Sequence, residues 1–191
     1  MIKADAVLDC QGMSCPMPVV QTKKALDALM PGQVLEIRST DRGTLADLPA
    51  WAKNTGHHYL GSTEEGRLLV HYIRKADSHE LKPMQRYPHI VHNEELMQKL
   101  ADKKDRNLVV LDVREPAEYA FGHIPGALSI PLGELEQRLA ELNCDDDIYV
   151  ICRTGNRSDM AATILAERGF KHVWNVVPGM SGWTGPLAKR L

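Results

Sequence analysis

Aromatic residues are scarce in this 191-residue chain, at 5% of the total, and neither sign of charge dominates, since 23 basic side chains face 25 acidic ones. Composition therefore gives no reason to expect a nucleic-acid-binding protein or a membrane-surface protein. No apolar run approaches the roughly 20 residues that a membrane-spanning helix needs. Residues 1–5 lack the layout of a secretory signal and already include an acidic residue. We therefore expect a cytoplasmic protein without membrane insertion.

Cysteine is also rare, with four residues: Cys10, Cys15, Cys144 and Cys152. In a reducing compartment these side chains stay as thiols, so they are candidates for chemistry or metal binding rather than for structural disulfides. The spacing of Cys10, Cys15 and the histidines at 57–58 matches no common zinc pattern. With no nucleotide motif either, we expect neither a metal nor a cofactor.

The first 75 residues carry a β-α-β-α-β-β pattern. The predicted elements are a strand at 6–8, a helix that begins just after Cys15 and is stopped by Pro31-Gly32, a strand at 34–39, a helix at 44–55 and a hairpin with strands at 57–60 and 67–74. Thr44 and Asp47 predict a capping box at the start of the second helix. This order predicts a two-layer α/β domain over 1–75, with both helices on one face of the sheet.

Residues 76–88 are polar, contain two prolines and show no periodicity, which is typical of a linker. Beyond it, over 89–191, apolar segments at 108–113, 148–152 and 173–177 alternate with helical patterns at 93–100, 132–142 and 158–168, the first capped by Asn93. Apolar strands without alternation, separated by helices, predict an α/β domain with a central parallel sheet flanked by helices.

Cys152 ends one of these apolar strands. The segment that follows is Arg153, Thr154, Gly155, Asn156, Arg157 and Ser158. At such a strand-to-helix turn, backbone N–H groups and the helix N-terminus can form an anion-binding nest, and the two arginines add positive charge. These features favour a reactive thiolate. The alternative is a small apolar residue that completes a buried strand.

Cys15 precedes a proline-rich helix start that continues with Pro16 and Pro18. Proline in the first helical turn costs no hydrogen bond, because those N–H groups have no acceptor within the helix. Cys15 then falls at or near the N-cap, where the helix dipole would stabilise a thiolate or a persulfide anion. The alternative is a helix start that merely happens to contain a cysteine.

Residues 89–186 resemble a rhodanese-like domain. The matching segments are 112–115 (DVRE), 122–127 (GHIPGA), 152–158 (CRTGNRS) and Gly179-Met180 with Trp183. The resemblance implies that Cys152 is a nucleophile that accepts a sulfane sulfur as a persulfide, held by the amides of the loop at 153–157. We expect Arg153, Thr154, Gly155, Asn156 and Arg157 to bind the substrate and Ser158 to support the site.

Four residues separate Cys152 from Arg157. The phosphatases and arsenate reductases related to rhodaneses place one more residue there, which makes room for a tetrahedral oxyanion. The shorter loop fits one added sulfur atom better, so it favours sulfur transfer over phosphate or arsenate chemistry.

Asp112 and Arg114 could pair and brace the site, or they could form an ordinary surface ion pair. We expect His123 to be structural rather than a base. Cys144 precedes three aspartates, at 145–147, whose negative field disfavours a thiolate, so we expect it to be inert.

Residues 5–74 resemble the TusA/SirA-like sulfur carriers. The matching residues are Asp9, Gly12 and the Cys-Pro-x-Pro motif at 15–18. The resemblance implies that Cys15 carries persulfide sulfur between proteins. Cys10 lies outside the shared motif, and we expect it to be a small residue that ends the first strand rather than a thiol that resolves a Cys15 persulfide.

The two halves together predict a sulfurtransferase. Cys152 would take sulfur from thiosulfate or from a persulfide donor and relay it to Cys15 for delivery to an acceptor protein, in either direction. Sulfur exchange of this kind needs no cofactor, because the sulfur is already at the right oxidation level. The alternative is an independent thiosulfate sulfurtransferase whose N-terminal domain only binds a partner.

Overall fold

The computed structural model describes residues 2–78, 87–102 and 107–191. The chain forms two compact units. Most of the predicted linker, residues 79–86, lies outside the described residues. Tyr87, at the far end of that linker, packs in the C-terminal unit: its hydroxyl donates to the carbonyl of Val173 (3.2 Å) and its N–H to Asp159 Oδ1 (3.0 Å).

The N-terminal unit confirms the predicted order of elements. They are β1 (Ala6–Cys10), α1 (Met17–Ala28), β2 (Val34–Ser39), α2 (Thr44–Thr55), β3 (His58–Glu65) and β4 (Leu68–Arg74). The strand order is β1-β2-β4-β3, with β1 and β2 parallel and the other two pairs antiparallel. Because β1 and β2 run the same way, the loops that follow them lie at the same edge of the sheet.

The helices cover one face of this sheet. Leu26 of α1 and Leu48 of α2 pack against a buried layer from the strands that includes Ile37, Ile73 and Cys10. Cys10 is fully buried, and its pKa is raised by that burial and by the charge of neighbouring Asp9. It therefore ends the first strand as a core residue.

The start of α2 differs from the prediction. Gly43 is the N-cap, and no side-chain capping bond forms there. Instead, Oδ1 of Asp41 accepts the N–H of Gly43 (2.9 Å), and the hydroxyl of Thr44 donates to the carbonyl of Asp41 (2.6 Å). The capping box of Thr44 and Asp47 is wrong, because an aspartate two residues before the N-cap organises the turn.

The C-terminal unit has a five-stranded sheet whose strand pairs are all parallel, in the order β5-β9-β8-β6-β7. Its strands are β5 (Ile90–His92), β6 (Leu108–Asp112), β7 (Leu128–Ser129), β8 (Asp147–Ile151) and β9 (Val173–Val177); its α-helices are α3 (Asn93–Ala101), α4 (Pro116–Phe121) and α5 (Asn156–Glu167). Buried clusters line both faces of the central strands, which explains their continuous apolar sequence. The predicted parallel sheet is confirmed.

Three local predictions are corrected here. The helix expected over 132–142 is two short 3₁₀ helices, Leu132–Gln137 and Leu139–Glu141, interrupted at Arg138, whose φ of −113° is not helical. Asn93 is the first residue of α3 rather than its cap, and its amide donates to the carbonyl of Gly179 (2.9 Å). Helix α5 starts at Asn156, two residues earlier than predicted. Within the described ranges, no helix is long and apolar enough to cross a membrane.

Candidate active site

Cys152 lies at the carboxyl edge of the parallel sheet, directly after β8 and four residues before α5. Its side chain is 1% exposed. The chain turns at Gly155, whose φ of +97° is in the left-handed region, and a Cβ there would lie 3.1 Å from Cγ1 of Val177. The positive φ therefore favours glycine, and a larger residue would also crowd Val177. The turn brings the N–H of Gly155 to Sγ of Cys152, to which it donates at 3.1 Å.

A second polar group also contacts this sulfur. Oγ of Ser158, in the first turn of α5, lies 3.3 Å from Sγ of Cys152. An amide and a hydroxyl near the N-terminus of a helix are groups that stabilise negative charge on a sulfur. The substrate-binding candidates Arg153, Thr154 and Asn156 are partly exposed around this turn, and their roles stay predictions.

The segment that follows β9 is hydrogen-bonded to the backbone of the loop that begins at Cys152. The N–H of Met180 donates to the carbonyl of Cys152 (2.8 Å), and the N–H of Ser181 donates to the carbonyl of Arg153 (2.9 Å). A Cβ at Gly179 would lie 2.5 Å from the carbonyl oxygen of Cys152. Backbone approach this close is possible only for glycine, so Gly179 fixes where the loop can lie.

Arg157, a candidate for binding the substrate, lies in a buried ion pair. Its two terminal NH groups donate to both carboxylate oxygens of Glu118, at 2.7 and 3.0 Å, and its substrate-binding role stays a prediction. The two side chains are 9% and 3% exposed. Arg157 therefore joins α5 to α4 from inside the unit. Glu118 was missed, because an acidic residue in the first turn of a helix is ordinarily a solvated one.

Asp112 and Arg114 form a buried pair, so the surface ion pair considered above is wrong. Nε and Nη2 of Arg114 contact the Asp112 carboxylate at 2.6 to 3.1 Å, and Nη2 also donates to the carbonyl of Gly122 (2.7 Å). The pair joins the end of β6 to the turn after α4. His123 stacks on Tyr119 with ring centroids 3.7 Å apart, which fits a structural side chain.

Cys15 is exposed and lies two residues before α1, whose N-cap is Pro16. Its N–H donates to Oδ2 of Asp41 at 2.9 Å. The pKa of Cys15 is raised, first by a hydrogen bond to Asp47, then by desolvation and by the charges of Asp47 and Asp41. The carboxylates of Asp47, in the first turn of α2, and of Asp41, in the loop after β2, thus oppose the thiolate that the start of α1 was expected to stabilise.

The remaining residues of the carrier motif shape the turn before Cys15. Oδ1 of Asp9 accepts the N–H of Gln11 (2.9 Å). Gly12 has a φ of +74°, and its N–H donates to Oγ1 of Thr40 at 3.0 Å. Pro18, the second residue of α1, is buried. These contacts hold the loop against the end of β2 and leave the thiol at the surface.

His71, a buried histidine in β4, is connected by hydrogen bonds to the loop that carries Asp41. Thr44 uses its only hydroxyl proton on the carbonyl of Asp41, so its oxygen accepts from Nε2 of His71 (2.9 Å), and Nδ1 of His71 accepts from the hydroxyl of Tyr59 (2.8 Å). Burial lowers the pKa of His71 to about 4. A neutral His71 thus belongs to the chain of hydrogen bonds that positions Asp41. The sequence pattern gives no sign of this role, since His71 stands in an otherwise apolar stretch of β4.

The part of the chain that the structure describes contains no cluster of three or more His, Cys, Asp or Glu side chains that could hold a metal ion.

Comparison with known proteins agrees with this geometry. The family model "Sulfurtransferase TusA" matches residues 6–75, and the model "Rhodanese-like domain" matches residues 92–186. "Putative sulfur carrier protein YrkF" of Bacillus subtilis (strain 168) is 52% identical over 185 residues, which cover 97% of this chain and 98% of that protein. "Sulfur carrier protein TusA" of Allochromatium vinosum is 41% identical over 76 residues, which cover 40% of this chain and all of the relative.

Among solved structures, a rhodanese-like domain protein from Staphylococcus aureus matches with a TM-score of 0.50 and 29% identity, over 54% of this chain and 99% of that one. Fold and relatives together define a sulfur-transfer protein with sulfurtransferase activity. The chain belongs to the family of two-domain proteins in which a TusA sulfur-carrier domain precedes a rhodanese-like domain.

Proposed function

We propose that the chain loads a sulfane sulfur onto Cys152 and relays it to Cys15. The supporting observation is a buried sulfur that accepts an amide hydrogen bond in one unit, on the same chain as an exposed carrier cysteine. In the first step, the Cys152 thiolate attacks the outer sulfur of thiosulfate. The new S–S bond replaces the one in the donor, sulfite leaves with the bonding electrons, and Cys152 becomes a persulfide anion. A small persulfide donor reacts in the same way and releases its thiolate.

In the second step, the Cys15 thiolate attacks the terminal sulfur of the Cys152 persulfide. A persulfide forms on Cys15 and the Cys152 thiolate leaves, so no oxidant or reductant is consumed. A thiol with a raised pKa is a poor leaving group, which slows loss of sulfur once it has been transferred. The same effect applies to return of the sulfur to Cys152 and to its delivery to a downstream protein thiol, so it does not set the direction of transfer.

Fusion of the two units raises the rate of the second step in this proposal. Such tethering gives an effective concentration on the order of millimolar. Both steps need reduced thiols, so the proposed reaction suits a reducing compartment such as the cytoplasm.

Intact-mass and peptide-resolved mass spectrometry after thiosulfate treatment test the relay. In the full chain we expect one added sulfur on Cys152 and, later, one on Cys15. Cys152→Ala should lose the sulfur at both positions, whereas the matched control Cys144→Ala, at an exposed thiol, should keep it. Equal loading of Cys15 in the Cys152→Ala chain would refute the relay.

The second candidate function is an independent thiosulfate sulfurtransferase whose carrier unit only binds a partner. The observation that favours it is the raised pKa of Cys15, which leaves less thiolate at neutral pH. Cyanide-dependent turnover by the Cys15→Ser chain separates the two candidates when it is measured together with sulfur delivery to a protein thiol. Loss of delivery with unchanged turnover supports the relay; unchanged values for both support the independent enzyme.

A further inference from the structure

The hydroxyl group of Ser158 contacts both the sulfur of Cys152 and the buried side-chain amide of Asn175. Oγ of Ser158 lies 3.3 Å from Sγ of Cys152 and 2.6 Å from Oδ1 of Asn175, which stands in β9. Ser158 and Asn175 are fully buried, and Cys152 is nearly so. A hydroxyl has only one proton, so Ser158 cannot donate to both neighbours at once.

The orientation of the amide decides which neighbour receives that proton. Nδ2 of Asn175 lies 3.1 Å from the carbonyl of Gly155 and 3.4 Å from Oδ1 of Asp159. A backbone carbonyl can only accept, so the NH₂ group must face that side and Oδ1 must face Ser158. Oδ1 also can only accept. The proton of Ser158 therefore lies toward Asn175, and the hydroxyl oxygen presents a lone pair to Cys152.

This arrangement suits different states of the sulfur unequally. A Cys152 thiol can donate its S–H to Ser158, which keeps every group paired. After the thiol has lost its proton to solvent, the thiolate is best stabilised if Ser158 turns its proton toward Sγ, which leaves the buried Oδ1 of Asn175 without that bond. In a persulfide the charge lies on the outer sulfur and Sγ is neutral, so the proton of Ser158 can return to Asn175.

We infer that Asn175 is a positioning residue that competes with the Cys152 thiolate for the single hydroxyl proton of Ser158 and thereby favours the loaded persulfide over the empty thiolate. The inference rests on the proposed function in one respect, namely that Cys152 is the sulfur-bearing thiol. Asn175 contacts neither the donor nor the sulfur in this role, and it acts through Ser158.

The test replaces Asn175 in the full chain and measures Cys152 directly. In Asn175→Val, whose β-branched side chain suits a strand among valines, Ser158 is released to donate to the thiolate. We expect the pH midpoint of Cys152 alkylation, followed by peptide-resolved mass spectrometry, to fall by about 0.5–1 unit. At a fixed ratio of thiosulfate to sulfite, the loaded fraction relative to thiolate should fall about three- to tenfold.

Ser158→Ala is the control that distinguishes competition for the hydroxyl proton from a merely structural role of Asn175. In a Ser158→Ala background no hydroxyl proton remains to compete for, so Asn175→Val should leave the alkylation midpoint unchanged. An equal shift in both backgrounds, or no shift in either, would overturn the inference. If Asn175→Val does not fold by circular dichroism, Asn175→Ala is compared in the same two backgrounds.

The ionisable groups on the elements around the loop are Arg153, the pair Arg157 and Glu118, the pair Asp112 and Arg114, and Asp159. Asn175→Val also removes the bonds from Nδ2 to Asp159 and to the carbonyl of Gly155, but it does so equally in both backgrounds, so the comparison between backgrounds isolates the hydroxyl of Ser158. Alkylation needs no sulfur donor. A midpoint shift without any sulfur loading would therefore contradict the proposed function while supporting the competition for Ser158.

Discussion

Replacing Glu118 with glutamine tests whether the buried pair of α4 and α5 supports the catalytic loop. Arg157 follows the loop at the start of α5, and its guanidinium is held by two hydrogen bonds to Glu118, at 2.7 and 3.0 Å. Glutamine has nearly the same shape and keeps one oxygen acceptor. It removes the negative charge that faces the guanidinium and turns an NH₂ group toward one of its donors.

The expected magnitude follows from burial. Both side chains are less than a tenth exposed, and breaking a buried ion pair by removing one charge costs about 3–5 kcal/mol. Because glutamine retains one acceptor, we expect a loss near the lower end, about 3 kcal/mol in the free energy of unfolding of the C-terminal unit. A loop less firmly held should also make Cys152 react faster with alkylating reagents.

Urea unfolding followed by tryptophan fluorescence measures this loss. In a Trp51→Phe background the signal comes only from Trp174 and Trp183, both in the C-terminal unit. The matched control is Glu136→Gln, which breaks a pair with Arg168 whose side chains are 58% and 52% exposed. That change should cost less than about 1 kcal/mol. Equal losses for the two variants would refute the assignment of Glu118 and Arg157 as a stabilising buried pair.

Asp47→Asn removes the carboxylate that raises the pKa of Cys15 most, so alkylation of this thiol at pH 7 should become faster; an unchanged or slower rate would contradict that cause. Burial lowers the pKa of His71 from 6.5 to about 4, so the unfolded chain binds the proton first as the pH falls. His71 should then cost the N-terminal unit about 3 kcal/mol of stability from pH 6.5 down to pH 4. Thermal melts at a series of pH values measure this loss of stability. An NMR titration of the His71 imidazole in the folded protein with a midpoint near pH 6.5 would contradict the expectation. Gly179→Ala places a Cβ 2.5 Å from the carbonyl of Cys152 at a φ of +79°; we expect strongly reduced sulfur loading, and loading equal to the unsubstituted chain would show that the loop can move aside.

Much of the fold was predictable because its signals are local. The apolar strands predicted at 108–113, 148–152 and 173–177 belong to a parallel sheet that is covered on both faces. A strand buried on both faces needs a continuous apolar sequence, which is visible without the structure. The N-terminal order of elements was equally readable from periodicity and from the helix stop at Pro31-Gly32. The predictions failed where a distant backbone group replaced a local one, as at Asn93, whose amide binds the carbonyl of Gly179.

For the candidate site, the sequence by itself determined which thiols stand at strand-to-helix turns, because proline, glycine and strand endings act within a few residues of Cys15 and Cys152. Tertiary structure decided what surrounds those thiols. It placed Asp41 and Asp47 beside Cys15, bound Arg157 to Glu118, and set Asn175 against Ser158, each across a separation of at least 17 residues. Electrostatic and hydrogen-bonding partners depend on distance in space, and that distance is known only once parallel strands have brought their loops to a common edge.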